Sequence, residues 1–121
     1  MLNQDSLGYV DKVLGWYVSL PDTPARSSRY DRKLAIELCR RQVSLSVVES
    51  AFLLAIARRR LRDSTRPPLP PVRSLHYFLP LIDEILASPL PQGYSDYLRD
   101  KLRRHHIYPA PKQAAASTLT Q

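Results

Sequence analysis

From Val47 to Ala57 this chain carries only two polar side chains, Glu49 and Ser50. The run falls short of the about 18 continuous apolar residues that a membrane span requires. A helix that is apolar nearly all round has to be enclosed by other elements. The run therefore predicts a central helix, with the rest of the chain folded around it. At 121 residues and 44% apolar content there is material for one domain and one modest core.

Punctuation along the chain supports an all-α reading. Three glycines stand against eleven prolines, which argues against a turn-rich sandwich and against a glycine-lined nucleotide cradle. The helix period recurs in five segments, giving a bundle of four main helices and a fifth at the C-terminal end. The first is expected from about Ser6 to Leu20, capped by Asp5 or Ser6 and stopped by Pro21. The second follows Ser28 and ends near Arg41, with Tyr30, Leu34, Ala35, Leu38 and Cys39 on its apolar side. The third opens after Gln42-Val43-Ser44-Leu45, where Ser46-Val47-Val48-Glu49 reads as a capping box.

Ser64 to Pro71 contains Pro67, Pro68, Pro70 and Pro71 and is expected to be a stiff, extended connector. The fourth helix follows Ser74 and runs to about Leu86, with Pro80 either kinking it or dividing off a short first turn. The fifth runs from about Tyr94 to His105. Residues 1–107 thus read as one helical domain and 108–121 as a disordered tail.

Charge is the strongest pointer to function. Eighteen bases against eleven acids leave +7, which invites an anionic partner. Between Arg26 and Arg66 there are eleven bases and four acids, so this stretch holds the whole surplus. Ten of those eleven bases are arginines, which fork onto phosphate or carboxylate. Phosphate binding needs several cations and few competing carboxylates. Arg58, Arg59, Arg60, Arg62 and Arg66 meet that requirement, with Asp63 the sole acid beside them in sequence. If the second and third helices pack antiparallel, Arg26, Arg29 and Lys33 join the same end as one patch. The alternatives are a solvated helix end that aids solubility, or a docking site for an acidic protein surface.

The segment from Leu34 to Ala51 has helix-turn-helix spacing, which would place Ser46, Glu49 and Ser50 in a major groove. A recognition helix needs an exposed polar face, however, and this one is almost wholly apolar. A buried helical hairpin is the favoured reading.

Catalytic patterns are poor. His105-His106 diverge around a helix and lack a carboxylate at ligand spacing, so no metal is expected. Asp83-Glu84 reads as a solvated pair, and Cys39 as an inert thiol on the apolar side of its helix. Neither a glycine-rich phosphate loop nor a nucleophile elbow is present. No cofactor and no enzymatic activity are expected. Cys39 is the one cysteine, which excludes an internal disulfide. The start Met1-Leu2-Asn3-Gln4-Asp5 lacks the basic region of a signal peptide, so a cytoplasmic location is expected.

Leu45-Ser46-Val47-Val48 with Ala51, then Ser74-Leu75-His76-Tyr77-Phe78-Leu79 leading to Leu81-Ile82, resembles the C-terminal helical module of DnaD-type replication initiation proteins. The chain also resembles short bacterial proteins with a proline-rich link and a Ser-Leu-x-Tyr-Phe motif. The resemblance spans roughly Leu34 to Leu86 and implies a small helical bundle associated with DNA replication. The Arg58–Arg62 cluster and the proline connector depart from the DnaD pattern, and no functional residue carries over. The expectation from the residues is a small DNA-binding accessory protein that contacts phosphates without reading bases. The competing expectation is an interaction adaptor docking through Pro67–Pro71 or the fifth helix.

Overall fold

The apolar run of Val47–Ala57 is the centre of the molecule. In the computed structural model, which describes residues 4–107, it lies within a helix that packs on three others. The elements run α1 Gln4–Ser19, α2 Arg29–Arg40, α3 Leu45–Arg60, a 3₁₀ turn Leu75–Phe78, α4 Leu79–Ala87 and α5 Tyr94–Arg104. The described residues form an all-α bundle without strands. Within α3, Val48 and every residue from Ser50 to Ala57 are buried. Its neighbours are α1, α4, α5 and the 3₁₀ turn, whereas α2 packs chiefly on α1 and also meets the 3₁₀ turn. The helical hairpin expected of α2 and α3 is thus replaced by a pairing of α2 with α1.

The amphipathic patterns account for the packing. α1 buries Val10, Val13, Leu14 and Tyr17, and α2 buries Leu34, Ala35 and Leu38. Phe78 anchors the middle, edge-on to Phe52 at 4.8 Å and to Tyr17 at 6.1 Å between ring centroids. Tyr30, expected on the apolar side of α2, is instead 61% exposed, and Cys39 is half-buried. With Leu34, Ala35 and Leu38 filling the α1 contact, the position of Tyr30 in the first turn lies beyond the core's edge.

Helix ends differ from expectation in instructive ways. α1 begins at Gln4, so Asp5 lies inside its first turn rather than capping it. The α3 cap is Ser44, whose hydroxyl accepts the Val47 N–H at 3.2 Å. The Ser46–Glu49 box does not form, because Ser46 is already within the helix. A reciprocal box closes the start of α2 instead: Asp31 N–H donates to the Ser28 hydroxyl, and Ser28 N–H donates to the Asp31 carboxylate. Asp31 is buried, and its second oxygen accepts the Leu75 N–H at 2.9 Å. One carboxylate therefore ties α2 to the 3₁₀ turn.

α2 and α5 close on left-handed residues that are not glycine. Gln42 has φ 60°, and Val43 N–H returns to the Leu38 carbonyl. His106 has φ 58°, with Ile107 N–H on the Leu102 carbonyl. Both are Schellman closures, in which a buried residue just past the end packs back on the last turn. His105 and His106 thus terminate α5. Pro80 stands at the start of α4, where its missing N–H costs nothing, and so divides the 3₁₀ turn from the helix. Among the described residues no helix is long and apolar enough to cross a membrane. The tail at 108–121 lies outside the described residues.

Candidate nucleic-acid interface

The last turn of α3 leaves the core carrying Arg58, Arg59 and Arg60, and the chain continues through Arg62 and Arg66 into the proline connector. Successive helical residues diverge by about 100°, so these cations separate. Arg58 turns towards α4, where its guanidinium meets the Glu84 carboxylate through two bonds of 2.9 and 3.3 Å. This pairing holds the Glu84 carboxyl below its usual value, by the hydrogen bonds first and the Arg58 charge second. Arg58 is correspondingly raised.

Arg59 lies against the connector. Its side chain is only 6% exposed, and it donates to Asp22 at 3.4 Å, to the Pro70 carbonyl at 2.6 Å and to the Tyr77 hydroxyl at 3.2 Å. The guanidinium also lies 5.4 Å from the Tyr77 ring centre. Arg60 reaches the other oxygen of Asp22 at 3.3 Å. Asp22 has φ 69°, and its carbonyl accepts the Val72 N–H at 2.8 Å. A single aspartate in the α1–α2 loop therefore joins the end of α3 to the connector.

Arg59, Arg60, Arg62 and Arg66 line one open groove of about 250 Å³ with Asp22 and Asp63, walled by Pro67 and Pro68. Arg62 donates to the Pro67 carbonyl at 3.2 Å. Among the described residues neither Arg62 nor Arg66 has a carboxylate within ion-pair distance. Asp63 is engaged by Thr65, whose N–H reaches its Oδ1 at 3.0 Å and holds its carboxyl low. The groove thus sets four guanidinium groups against two carboxylates, with its two outer arginines unneutralised.

Four of the five clustered arginines come together here, and Arg58 does not. Arg26 lies elsewhere, on the rim of a shallow groove with Leu14, Gly15 and Val18. Arg29 stacks over Tyr30 at 5.5 Å, and Lys33 is exposed on the same helix. Among the described residues Arg26, Arg29 and Lys33 do not line the α3 groove, and α2 pairs chiefly with α1. In sequence, Asp63 is the sole acid adjacent to the cluster. Asp22 and Glu84 approach from other elements, and no local pattern announces them. Tyr77 was likewise missed as an arginine partner.

Two of the three polar residues of α3 that a recognition helix would use are committed elsewhere, and only Ser46 is exposed. Ser50 shares a 2.6 Å hydrogen bond with Ser95, and Glu49 pairs with Arg99 at 2.9 Å. Both belong to the α3–α5 interface. Tyr94 and Tyr97 pack on each other at 5.7 Å. Among the described residues no group of three or more His, Cys, Asp or Glu side chains could hold a metal. In comparisons with known proteins, no family model, curated sequence or solved structure matches this chain.

Proposed function

We propose that this chain is a small DNA-binding accessory protein that contacts phosphates through the groove at the end of α3 and does not read base sequence. The observation that carries the reading is the pair of guanidinium groups on Arg62 and Arg66, both unneutralised at the groove where Arg59 and Arg60 share one aspartate. Charge-assisted contacts of this type hold phosphate oxygens without base specificity. The commitment of Glu49 and Ser50 to α5 supports the same restriction, because it leaves Ser46 as the one of the three free for a major groove. A setting in replication or a mobile element belongs to this proposal as well.

The test is a gel shift with short duplex DNA at low and moderate salt. Arg62→Glu/Arg66→Glu is the informative variant, since Arg58, Arg59 and Arg60 also hold the fold together. Binding should weaken steeply with salt and fall by at least about tenfold in the variant. Salt-insensitive binding, or unchanged binding in the variant, removes the mechanism.

One observation favours an adaptor as the second reading. The connector from Ser64 to Pro71 is exposed throughout, and bonds from Arg59 and Arg62 hold its carbonyls at Pro70 and Pro67. A braced proline segment with an outward Leu69 suits docking on another protein. A partner retained after nuclease treatment, and released by Leu69→Asp, would favour that role.

A further inference from the structure

Tyr30 is the most exposed large hydrophobic residue of the described chain, at 61%. A solitary exposed tyrosine needs no explanation. The surroundings of this one are unusual. Arg29 lies over its ring, 5.5 Å from the centre, and Lys33 follows at helical spacing on an exposed position. Arg26, just before the helix, is also exposed. Among the described residues none of these three cations has a carboxylate within ion-pair distance.

The acids of this region are already committed. Asp31 is buried, with its oxygens on the Ser28 and Leu75 N–H groups. Asp11 pairs with Arg32 at 3.7 Å, and Glu37 with Arg40 at 3.8 Å. An aromatic ring is thus left at the surface with Arg29 over it, and Arg26 and Lys33, its near neighbours in sequence, are exposed and without an ion pair among the described residues. Arg26 also borders a groove on α1 lined by Leu14, Gly15 and Val18.

We infer that Tyr30, flanked by Arg26, Arg29 and Lys33, is a stacking site for unpaired bases, so that the nucleic acid taken by this protein is single-stranded. Stacking needs a base whose face is free, which duplex DNA does not offer at its sides. Any base can use the ring, and the cations follow the phosphates on either side. The inference rests on the nucleic-acid reading above and adds base contact to phosphate contact. The loop that carries Asp22 in the α3 groove also carries Arg26, so one segment links the two sites.

The experiment is fluorescence anisotropy of a labelled oligo-thymidylate and of a duplex of equal length, with wild type, Tyr30→Ala, Tyr30→Phe and Arg62→Glu/Arg66→Glu. Tyr30 is outside the core, and circular dichroism verifies that each variant is folded. The single strand should bind more tightly than the duplex. Tyr30→Ala should weaken the single strand by about tenfold and leave the duplex unchanged, while Tyr30→Phe stays within about twofold of wild type. Equal single-strand binding by wild type and Tyr30→Ala overturns the inference, as does an equal loss on both probes. If Tyr30→Ala has no effect but Arg62→Glu/Arg66→Glu weakens binding, the stacking site fails and the phosphate groove stands. The reverse pattern retains Tyr30 and removes the groove. Absence of binding by wild type to either probe removes both.

Discussion

Arg59 places its guanidinium 3.4 Å from the Asp22 carboxylate, and only 6% of its side chain reaches solvent. The same group holds the Pro70 carbonyl and the Tyr77 hydroxyl, so it joins four parts of the chain. A planar fork can meet several acceptors at once, and a lysine ammonium cannot reproduce that geometry. Arg59→Ala should therefore cost about 2–3 kcal/mol, in the range of hydrogen bonds to charged groups. Arg59→Lys should recover less than half of the loss. Urea unfolding provides the measurement, and a cost below about 0.5 kcal/mol, the level of ordinary surface changes, would contradict the role.

Arg62 and Arg66 invite a quantitative salt experiment. Each phosphate neutralised on duplex DNA contributes about 0.9 to the slope of log affinity against log salt. Removing both cations in Arg62→Ala/Arg66→Ala should flatten that slope by about two contacts' worth. An unchanged slope would place the phosphates elsewhere on the surface.

The pair Arg58 and Glu84 should be visible in acid. Arg58 lowers the Glu84 pKa, so the pairing stabilises the fold fully above the ordinary glutamate value of about 4.3. That contribution disappears as pH falls through the lower value of the folded state. Glu84→Gln should melt below wild type near neutrality and converge with it in acid. A gap between the melting curves that stays constant with pH would show that the charge on Glu84 is irrelevant.

Two neighbouring serines separate the cap from its imitation. Ser44 accepts the Val47 N–H, whereas Ser46 lies within α3 and is exposed. Ser44→Ala should cost about 1 kcal/mol, the usual value of an N-cap. Ser46→Ala should change stability little, and a larger loss at Ser46 than at Ser44 would reverse the assignment.

Tyr17 is fully buried, and among the described residues its hydroxyl has no hydrogen-bond partner. Burial first, and the Asp31 charge second, push its pKa up to about 12. Because the folded value is raised, this group leaves stability unchanged below the ordinary value of 10 and lowers it as pH rises towards 12. Tyr17→Phe should stabilise the protein by about 1 kcal/mol by removing an unbonded polar group. It should also soften alkaline unfolding between those two values, followed by circular dichroism. Marked destabilisation would show that the hydroxyl has a partner.

The helices, their order and the burial of α3 were legible in the sequence. These features follow from local chemistry: apolar spacing at the helix period, proline at the breaks, and a run from Val47 to Ala57 too apolar to face water. Pro80 and the connector were legible for the same reason, since proline constrains its own backbone whatever surrounds it. Helix ends were harder, because Ser44 and Ser46 offer the same hydroxyl and only the path of the backbone selects between them.

Pairing belonged to the tertiary structure. Arg58 and Glu84 are distant in sequence, as are Arg59 and Asp22, and no periodicity records that they meet. Counting charge along the chain therefore identified where cations concentrate but not which of them remain unneutralised. The chain determined its own helices because their hydrogen bonds and apolar faces arise from near neighbours. The fold alone decided which arginines at the end of α3 meet a carboxylate and that Arg62 and Arg66 do not, because an ion pair depends on distance through space.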